Sequence, residues 1–488
     1  MTRSRAQGPL LIVGDALLDI DVDGVVERLS PDAPVPVLDQ LVERARPGGA
    51  ALAALMAVRD GHDVVLVTAI GADSAGDQLR ALLSEVRVIL VGYDGPTAVK
   101  RRIRAGSQAI ARLDSGSTPG SLHDVPAEVR TEISEAAGIL VADYGRGLSS
   151  LESLRLLLSE RPRRVPLVWD PHPRGAQPIP GAQLVTPNRG EAKTFGENAG
   201  IGTASAGLAA VAADARGLAK AWQARAVAVT MGSRGALLAY AEGAPCVTPA
   251  PAVDCIDSCG AGDRFAVSAA VALASGLVTT EAVQAAVQDA TTYVAQGGPG
   301  TLSTTLTGAA RAAASLPQEQ ADREPDGVEL ALAVRRAGGV VVATGGCFDL
   351  LHAGHIATLQ AARGLGECLI VCLNSDDSVR RLKGAGRPLV PMADRKRVLS
   401  ALGCVDAVVI FDENTPVEVL QRLRPDVWVK GGDYAGEQLP EAAVLDRWGG
   451  KAVSLPYVSG CSTTQLVQSA TQSLVEPLRT TAMKETTR

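Results

Sequence analysis

The chain reads as an α/β protein of two successive domains, each built on a largely parallel sheet. Three observations predict this. From Leu10 onward, short β-branched runs alternate with Ala- and Leu-rich stretches of helical length, the pattern that βαβ units leave in a sequence. Over residues 309–327 the alternation gives way to Ala-, Gln-, Glu- and Asp-rich sequence with Pro317 and Pro325, the composition of a linker. It then resumes for about 160 residues, the size of one nucleotide-fold domain. The expected division is therefore 1–308, a linker at 309–327, and 328–488.

In the first domain, strands are expected at 10–13, 64–69, 138–142, 165–169, 183–186 and 226–230. Helices are expected at 50–59, 151–158 and 207–223, with two more after Gly260. Residues 97–114 differ, because apolar and basic side chains alternate on either side of Gly106-Ser107. That pattern predicts a β-hairpin projecting from the sheet as a lid. In the second domain, strands are expected at 340–343, 368–373, 407–411, 427–429 and 452–455, with helices at 356–363 and 395–402 among them.

Composition narrows the function. Hydrophobic residues make up 46% of the 488 and aromatics only 3%, so the cores must be built from Ala, Val, Leu and Ile. A net charge of −6 argues against nucleic acid or an anionic membrane as partner and leaves phosphate binding to local sites. The eight cysteines form no C-x-x-C pair and no zinc-type spacing, which fits reduced thiols in a cytoplasmic protein. The apolar run at 10–13 stops at Gly14-Asp15, too short for a signal peptide. The longest apolar stretch, 266–278, is broken by Ser and Gly and reads as a buried helix, short of a membrane span.

Five features of the first domain carry chemistry. Asp15 and Asp19 follow the first strand, where an open parallel sheet presents its ligand crevice. Gly48 and Gly49, in Pro47-Gly48-Gly49-Ala50-Ala51, open a helix with close backbone approach. Asn188 and Glu191 lie just past another strand end, placed to hold Mg²⁺ through water. Thr230, Gly232 and Gly235 form a strand end and glycine turn suited to nucleotide phosphates. Last, Asp257-Ser258-Cys259-Gly260-Ala261-Gly262-Asp263-Arg264-Phe265 sets glycines at a helix start before a carboxylate able to take a hydroxyl proton. Singly, each also reads as a turn, a helix cap or a solvated acid; their order and spacing favour the joint reading.

With these residues in this order, the sequence resembles the ribokinase-like carbohydrate kinases over about residues 8–305. The resemblance implies a doubly wound sheet with a β-hairpin lid. It also implies Asp263 as general base, the N–H groups of Gly260, Ala261 and Gly262 as an anion hole, and Asn188 and Glu191 placing metal and phosphate. Ser30-Pro31-Asp32-Ala33-Pro34-Val35-Pro36, the Gly48-Gly49 segment and the hairpin ending at Asp114 resemble the heptose 7-phosphate kinase branch. A substrate already bearing a phosphate needs cations, which Lys100, Arg102, Arg104 and Arg112 can supply; a solvated basic strand face is the other reading. Two residues depart from the branch: Leu52 stands where Asn is usual, and Cys259 where Thr or Ser is usual.

In the second domain, Thr344-Gly345-Gly346-Cys347-Phe348-Asp349-Leu350-Leu351-His352-Ala353-Gly354-His355 puts two histidines three apart at a helix start, able to face a triphosphate together. Downstream come Asn374-Ser375-Asp376, Arg381-Leu382-Lys383-Gly384, Val429-Lys430-Gly431-Gly432-Asp433-Tyr434 and Gly460-Cys461-Ser462-Thr463-Thr464. The domain resembles the cytidylyltransferase-like nucleotidyltransferases, with Gly345 where Asn is common. That implies a Rossmann-like α/β fold and attack by a substrate phosphate on the α-phosphorus of a nucleoside triphosphate. His352, His355 and Lys383 would stabilise the transition state, and Thr344, Gly346, Phe348, Lys430, Ser462 and Thr463 would bind nucleotide. Joined, the two resemblances imply phosphorylation of D-glycero-β-D-manno-heptose 7-phosphate at C1 and adenylylation of the heptose 1-phosphate, with Mg²⁺ and ATP. Another sugar phosphate, or CTP in the second step, remains an alternative. The kinase resemblance further implies a homodimer formed through that domain.

Overall fold

The computed structural model describes residues 8–30, 32–33, 35–105, 108–116, 118–201, 207–253, 257–299, 326–384, 386–432 and 439–456. The chain divides into two compact units, one of Met1–Ala204, Ala210–Glu242 and Ala250–Ala312, the other of Ser205–Ala209, Gly243–Pro249 and Ala313–Arg488. Of the expected linker, all but Asp326 and Gly327 lies outside the described residues.

Up to residue 299 the chain forms β1 (Leu10–Gly14), β2 (Ala16–Leu29), β3 (Pro36–Gly49), α1 (Ala50–Arg59), β4 (Val64–Thr68), α2 (Ser74–Leu82), β5 (Arg87–Leu90), β6 (Tyr93–Asp94), β7 (Val99–Ala105), β8 (Gln108–Ser115) and β9 (Ser121–Leu122). There follow α3 (Glu128–Glu135), β10 (Gly138–Ala142), α4 (Glu152–Ser159), β11 (Leu167–Asp170), β12 (Leu184–Val185), α5 (Arg189–Asn198), α6 (Gly207–Ala221), β13 (Ala226–Thr230), β14 (Ala236–Tyr240), β15 (Cys246–Thr248), α7 (Ala261–Ala274) and α8 (Thr279–Ala295). The strands expected in the parallel sheet all form. β1, β4 and β10 are buried along their whole length, which is why they read as unbroken apolar runs and not as alternating ones. α1 is buried from Ala50 to Ala57, five of these eight residues being alanine, and small side chains let it lie close to β1 and β4.

The first unit's sheet runs β5-β4-β1-β10-β11-β12-β13-β14, parallel except for the antiparallel β13–β14 pair. From β1 the chain winds outward through β4 and β5, then returns to β10 on β1's other side. The strand order therefore reverses between β1 and β10, and the crevice opens at their carboxyl ends. Gly14 closes β1 there. A Cβ on it would lie 2.0 Å from the Ala142 carbonyl oxygen of β10, so only glycine lets the two strands end side by side.

The lid is larger than a hairpin. β7 and β8 form the expected pair, with the turn residues Gly106 and Ser107 outside the described residues. They belong to a four-stranded sheet, β3-β2-β7-β8, in which the 14-residue strands β2 and β3 extend the lid beyond the expected hairpin. β2 does carry the period-2 signal: Leu18, Ile20 and Val22 are buried, and Asp19, Asp21 and Asp23 occupy the opposite face. The register shifts beside Gly24 and the left-handed Gln40 of β3 interrupt the pattern.

The second unit contains α9 (Gly327–Arg336), β16 (Val341–Gly346), α10 (Ala353–Arg363), β17 (Cys368–Asn374), α11 (Asp376–Lys383), α12 (Met392–Ser400), β18 (Ala407–Phe411), α13 (Val417–Leu423), β19 (Val427–Gly431), α14 (Ala442–Leu445) and β20 (Lys451–Leu455). Its parallel strands run β18-β17-β16-β19-β20. The order reverses between β16 and β19, which places a second crevice at their ends.

Ile12, at the centre of β1, is fully buried. Ile12→Ala is expected to destabilise the first unit by about 2–5 kcal/mol, read as a lowered denaturant midpoint for that unit's transition.

Candidate active sites

Asp15 leaves β1 at the switch point and turns its carboxylate across to the loop after β10. It accepts backbone N–H groups of Tyr144 and Arg146, both at 3.0 Å, and of Leu148 at 3.3 Å. Burial raises its carboxyl above the ordinary range, against those three N–H groups. Asp15, expected as a substrate contact, anchors the loop 143–148 and also lines a small cavity with Thr97 and Arg146. In that loop Asp143 accepts from Gly145 N–H and the Ser149 hydroxyl, and burial pushes its carboxyl to about 6.

Asp263, in the first turn of α7, is buried. Its Oδ1 accepts the Tyr144 hydroxyl at 2.5 Å. Burial lifts its carboxyl to about 6, with Tyr144, Lys100 and Arg46 pulling it down and Asp19 pushing it up. Gly260 caps α7 in the left-handed conformation, φ 77°. A Cβ on it would stand 2.8 Å from the Tyr293 hydroxyl and 3.0 Å from Leu52 Cδ2, whereas one on Gly262 would meet nothing within 4 Å. The helix start is thus closed from behind and open in front. Ala261, one of the three expected donors, gives its N–H to the Ser258 carbonyl at 3.2 Å. Leu52 does not face this opening as a sugar contact: it is buried with Met56 and Tyr293.

The lid supplies the charge. Asp19 is paired with Arg46 at 2.8 Å and Arg102 at 3.2 Å, and its Oδ1 has no hydrogen-bond partner among the described residues. It sits against Gly48, where a Cβ would approach its carboxylate to 2.8 Å. Arg46 also bonds Asp21 at 2.9 Å and reaches Cys259 Sγ at 3.4 Å. Arg104 pairs with Asp257 at 3.0 Å, so lid strands touch the glycine loop twice. Lys100 Nζ lies 4.8 Å from the Tyr144 ring centroid, and burial lowers its pKa below the usual value. Arg112, by contrast, is exposed and held by Asp114 at 2.6 Å. Arg46 and Tyr144 escaped the sequence reading. Arg46 precedes the Pro47-Gly48-Gly49 turn, and Tyr144 follows the strand end at Ala142.

Asn188 and Glu191 form a reciprocal capping box at the start of α5: Asn188 Oδ1 accepts Glu191 N–H at 3.0 Å, and Glu191 accepts Asn188 N–H at 2.8 Å. The cap reading of this pair is therefore present. Asn188 also bridges to Thr230 at the end of β13, which brings the pair beside the Gly232–Gly235 turn. Burial raises the Glu191 carboxyl, and Asp170, at the end of β11, is raised well above its usual range by burial and by Asp263. Among the described residues no group of three or more His, Cys, Asp or Glu is arranged to hold a metal ion.

In the second unit, the turn after β16 contains Phe348 at φ 45° and delivers His352 to the N-cap of α10. His355 lies one turn on. The two imidazoles stack with centroids 4.0 Å apart, and both Nδ1 atoms are buried without a hydrogen-bond partner among the described residues. Burial, then His352 and Lys383, lower His355 to about 4. The turn is pinned from below. Asp349 pairs with Arg387 at 2.6 Å and accepts Leu389 and Val390 N–H groups. Buried Arg395 bonds the Cys347 and Asn374 carbonyls and Asp376. Thr344 donates to the Val429 carbonyl at 2.9 Å, and Lys430 is paired with Glu441 at 3.0 Å. Ser462 and Thr463 lie outside the described residues.

Residues 9–306 match the pfkB family carbohydrate kinases, and residues 343–468 the cytidylyltransferase-like family. The Bifunctional protein HldE of Streptomyces coelicolor is 52% identical, covering 95% of this chain and 97% of its own length. The chain belongs to the bifunctional HldE proteins, with a pfkB kinase domain. A second HldE, from Azorhizobium caulinodans, is 37% identical over 95% of this chain and 98% of its own. A solved structure of Arabidopsis thaliana ribokinase complexed with ribose and ATP is 21% identical and covers 60% of this chain and 95% of that one, at a TM-score of 0.46. The protein is a carbohydrate kinase and a nucleotidyltransferase in one chain.

With its pKa near 4, His355 is neutral above about pH 5 in the nucleotide-free protein. The unfolded chain binds a proton on this group near pH 6.5, so its contribution to stability falls as pH drops from about 6.5 toward 4. A proton titration followed by NMR should give a midpoint near 4 for His355.

Proposed function

We propose that the kinase domain phosphorylates D-glycero-β-D-manno-heptose 7-phosphate at C1, and that the second domain transfers adenylyl from ATP to D-glycero-β-D-manno-heptose 1-phosphate. The observation that carries the first half is the meeting, in one crevice, of a buried carboxylate, an open helix N-terminus and a cationic lid. A sugar hydroxyl is a poor nucleophile and needs a base; the transferring phosphoryl group needs donors. Asp263 accepts the C1 hydroxyl proton as that oxygen bonds to the γ-phosphorus and ADP departs. N–H groups at the start of α7 face the developing charge. Lys100 and Arg102 bind anionic substrate, and the unpartnered Asp19 Oδ1 accepts a sugar hydroxyl.

Mg²⁺ accompanies ATP. Glu191 and Asn188 offer the hard oxygen donors it prefers, and would hold it through water. An ion held there would neutralise phosphate charge. Thr230, Gly232 and Gly235 line the nucleotide side of the same crevice.

In the second reaction the nucleophile is already anionic, so donors suffice. His352 and His355 hydrogen-bond the triphosphate as the bond to pyrophosphate breaks, with Lys383 adding positive charge. Thr344, Gly346, Phe348, Lys430, Ser462 and Thr463 complete the nucleotide site. The first product carries two phosphates and the second substrate one, so a phosphomonoester hydrolysis separates the steps.

We assign the domains to 1–308 and 328–488, which contain the two family matches. Exposed Val25, Leu41, Val42 and Leu113 on the lid strands suit a homodimer formed through the lid. A cytoplasmic location fits the free cysteines among the described residues, where no helix is long and apolar enough to cross a membrane.

Asp263→Asn is expected to cut ADP formation from heptose 7-phosphate by about a hundred-fold or more while leaving pyrophosphate release intact; undiminished kinase turnover would rule out the base. His352→Ala should reverse the pattern, cutting pyrophosphate release with ATP and heptose 1-phosphate by about a hundred-fold. A higher rate with CTP in the second assay would favour the other nucleotide.

A further inference from the structure

Tyr144 is held on three sides. Its backbone N–H is tied to Asp15 at 3.0 Å. A Cβ on Gly49 would stand 3.2 Å from its Cδ2, and Lys100 Nζ lies 4.8 Å from its ring centroid. The ring is therefore fixed by the end of β1, the start of α1 and the lid strand β7, and its hydroxyl meets Asp263 Oδ1 at 2.5 Å. We propose that Tyr144 is the positioning residue for the kinase base: its hydroxyl locks Oδ1 and favours the ionised carboxylate, leaving Oδ2 to take the proton of the sugar hydroxyl. The inference rests on Asp263 being the base.

The proton balance is simple. Tyr144 keeps its own proton throughout, because burial and Asp263 hold its phenol well above the usual value. Asp263 Oδ2 gains the substrate proton as the oxygen–phosphorus bond forms and ADP leaves. The other groups acting on Asp263 are Asp19 from β2, Arg46 from β3, Lys100 from β7, Asp170 from β11 and Tyr293 from α8. Burial pushes the carboxylate toward its neutral form, and the Tyr144 hydrogen bond is the largest influence opposing it.

Losing the donor therefore raises the pH at which Asp263 ionises. In the full-length protein, Tyr144→Phe keeps the ring and removes only the hydroxyl. We expect the acid limb of kcat for ADP formation to move about one pH unit upward, so that the deficit at pH 6 is roughly five-fold greater than at pH 8. Replacing Tyr144 by 3-fluorotyrosine, a stronger donor, should move the limb the other way; this second variant covers the case in which Tyr144→Phe fails to fold. Pyrophosphate release by the same preparation controls for intact protein. A purely structural role would lower activity equally at all pH values. If Asp263→Asn is inactive but neither Tyr144 variant moves the limb, the positioning role is overturned and the base stands; if Asp263→Asn is active, the base itself is wrong.

Discussion

A carboxylate buried among other acids is the constraint around which the crevice of the kinase domain is arranged. Burial favours the neutral acid, and Asp19 and Asp170 add negative potential around Asp263. The opposing influences come from outside the helix that carries it: the Tyr144 hydroxyl from the switch-point loop, and Lys100 and Arg46 from the lid. The lid is therefore an electrostatic part of the site as well as a cover. Its central strand presents Asp19 and Asp21 opposite Arg46, Arg44, Lys100 and Arg102 in register, cross-strand pairs of opposite charge that also stabilise the sheet.

The two domains share a geometry and differ in chemistry for a stated reason. Each opens a crevice where the strand order of a parallel sheet reverses, β1 beside β10 and β16 beside β19, and each starts a helix after a glycine-containing turn, α7 and α10. The kinase must generate a nucleophile from a hydroxyl, so it needs a base whose pKa is tuned near the working pH. The nucleotidyltransferase is handed an anionic nucleophile and needs only donors. That difference matches the side chains: a carboxyl raised to about 6 in one unit, and in the other a close pair of imidazoles with His355 lowered to about 4.

Much of this is readable from the chain because the central strands are continuous apolar runs and the glycine motifs sit at their ends. Asp263 and Gly260 stand out in the sequence only through the order of the motifs before them, and His352 and His355 through their spacing at a helix start. What was hidden depends on pairing across sequence distance. Arg46 gains meaning only because β3 pairs with β2 and sets it opposite Asp19. Tyr144 matters only because β10 lies next to β1 and points the loop at α7. Arg395 looks like one more surface helix residue until it proves buried beneath the histidine turn. The 14-residue strands of the lid were masked by a register shift near Gly24, although Asp19, Asp21 and Asp23 do mark out one face.

The departures from the family patterns are absorbed by packing. Leu52 joins Met56 and Tyr293 behind Gly260, and Tyr293 donates to the Cys259 carbonyl at 3.1 Å, so an apolar side chain at 52 supports the glycine that opens α7. Gly345 leaves space that the Trp428 indole fills: a Cβ there would lie 2.6 Å from the ring. An Asn at 345 would collide with that ring, and so Gly345 and Trp428 act as one packing solution beneath the histidine turn. Position 52 thus faces the core, while Asp19, paired with Arg46 and Arg102, keeps a buried Oδ1 without a hydrogen-bond partner among the described residues.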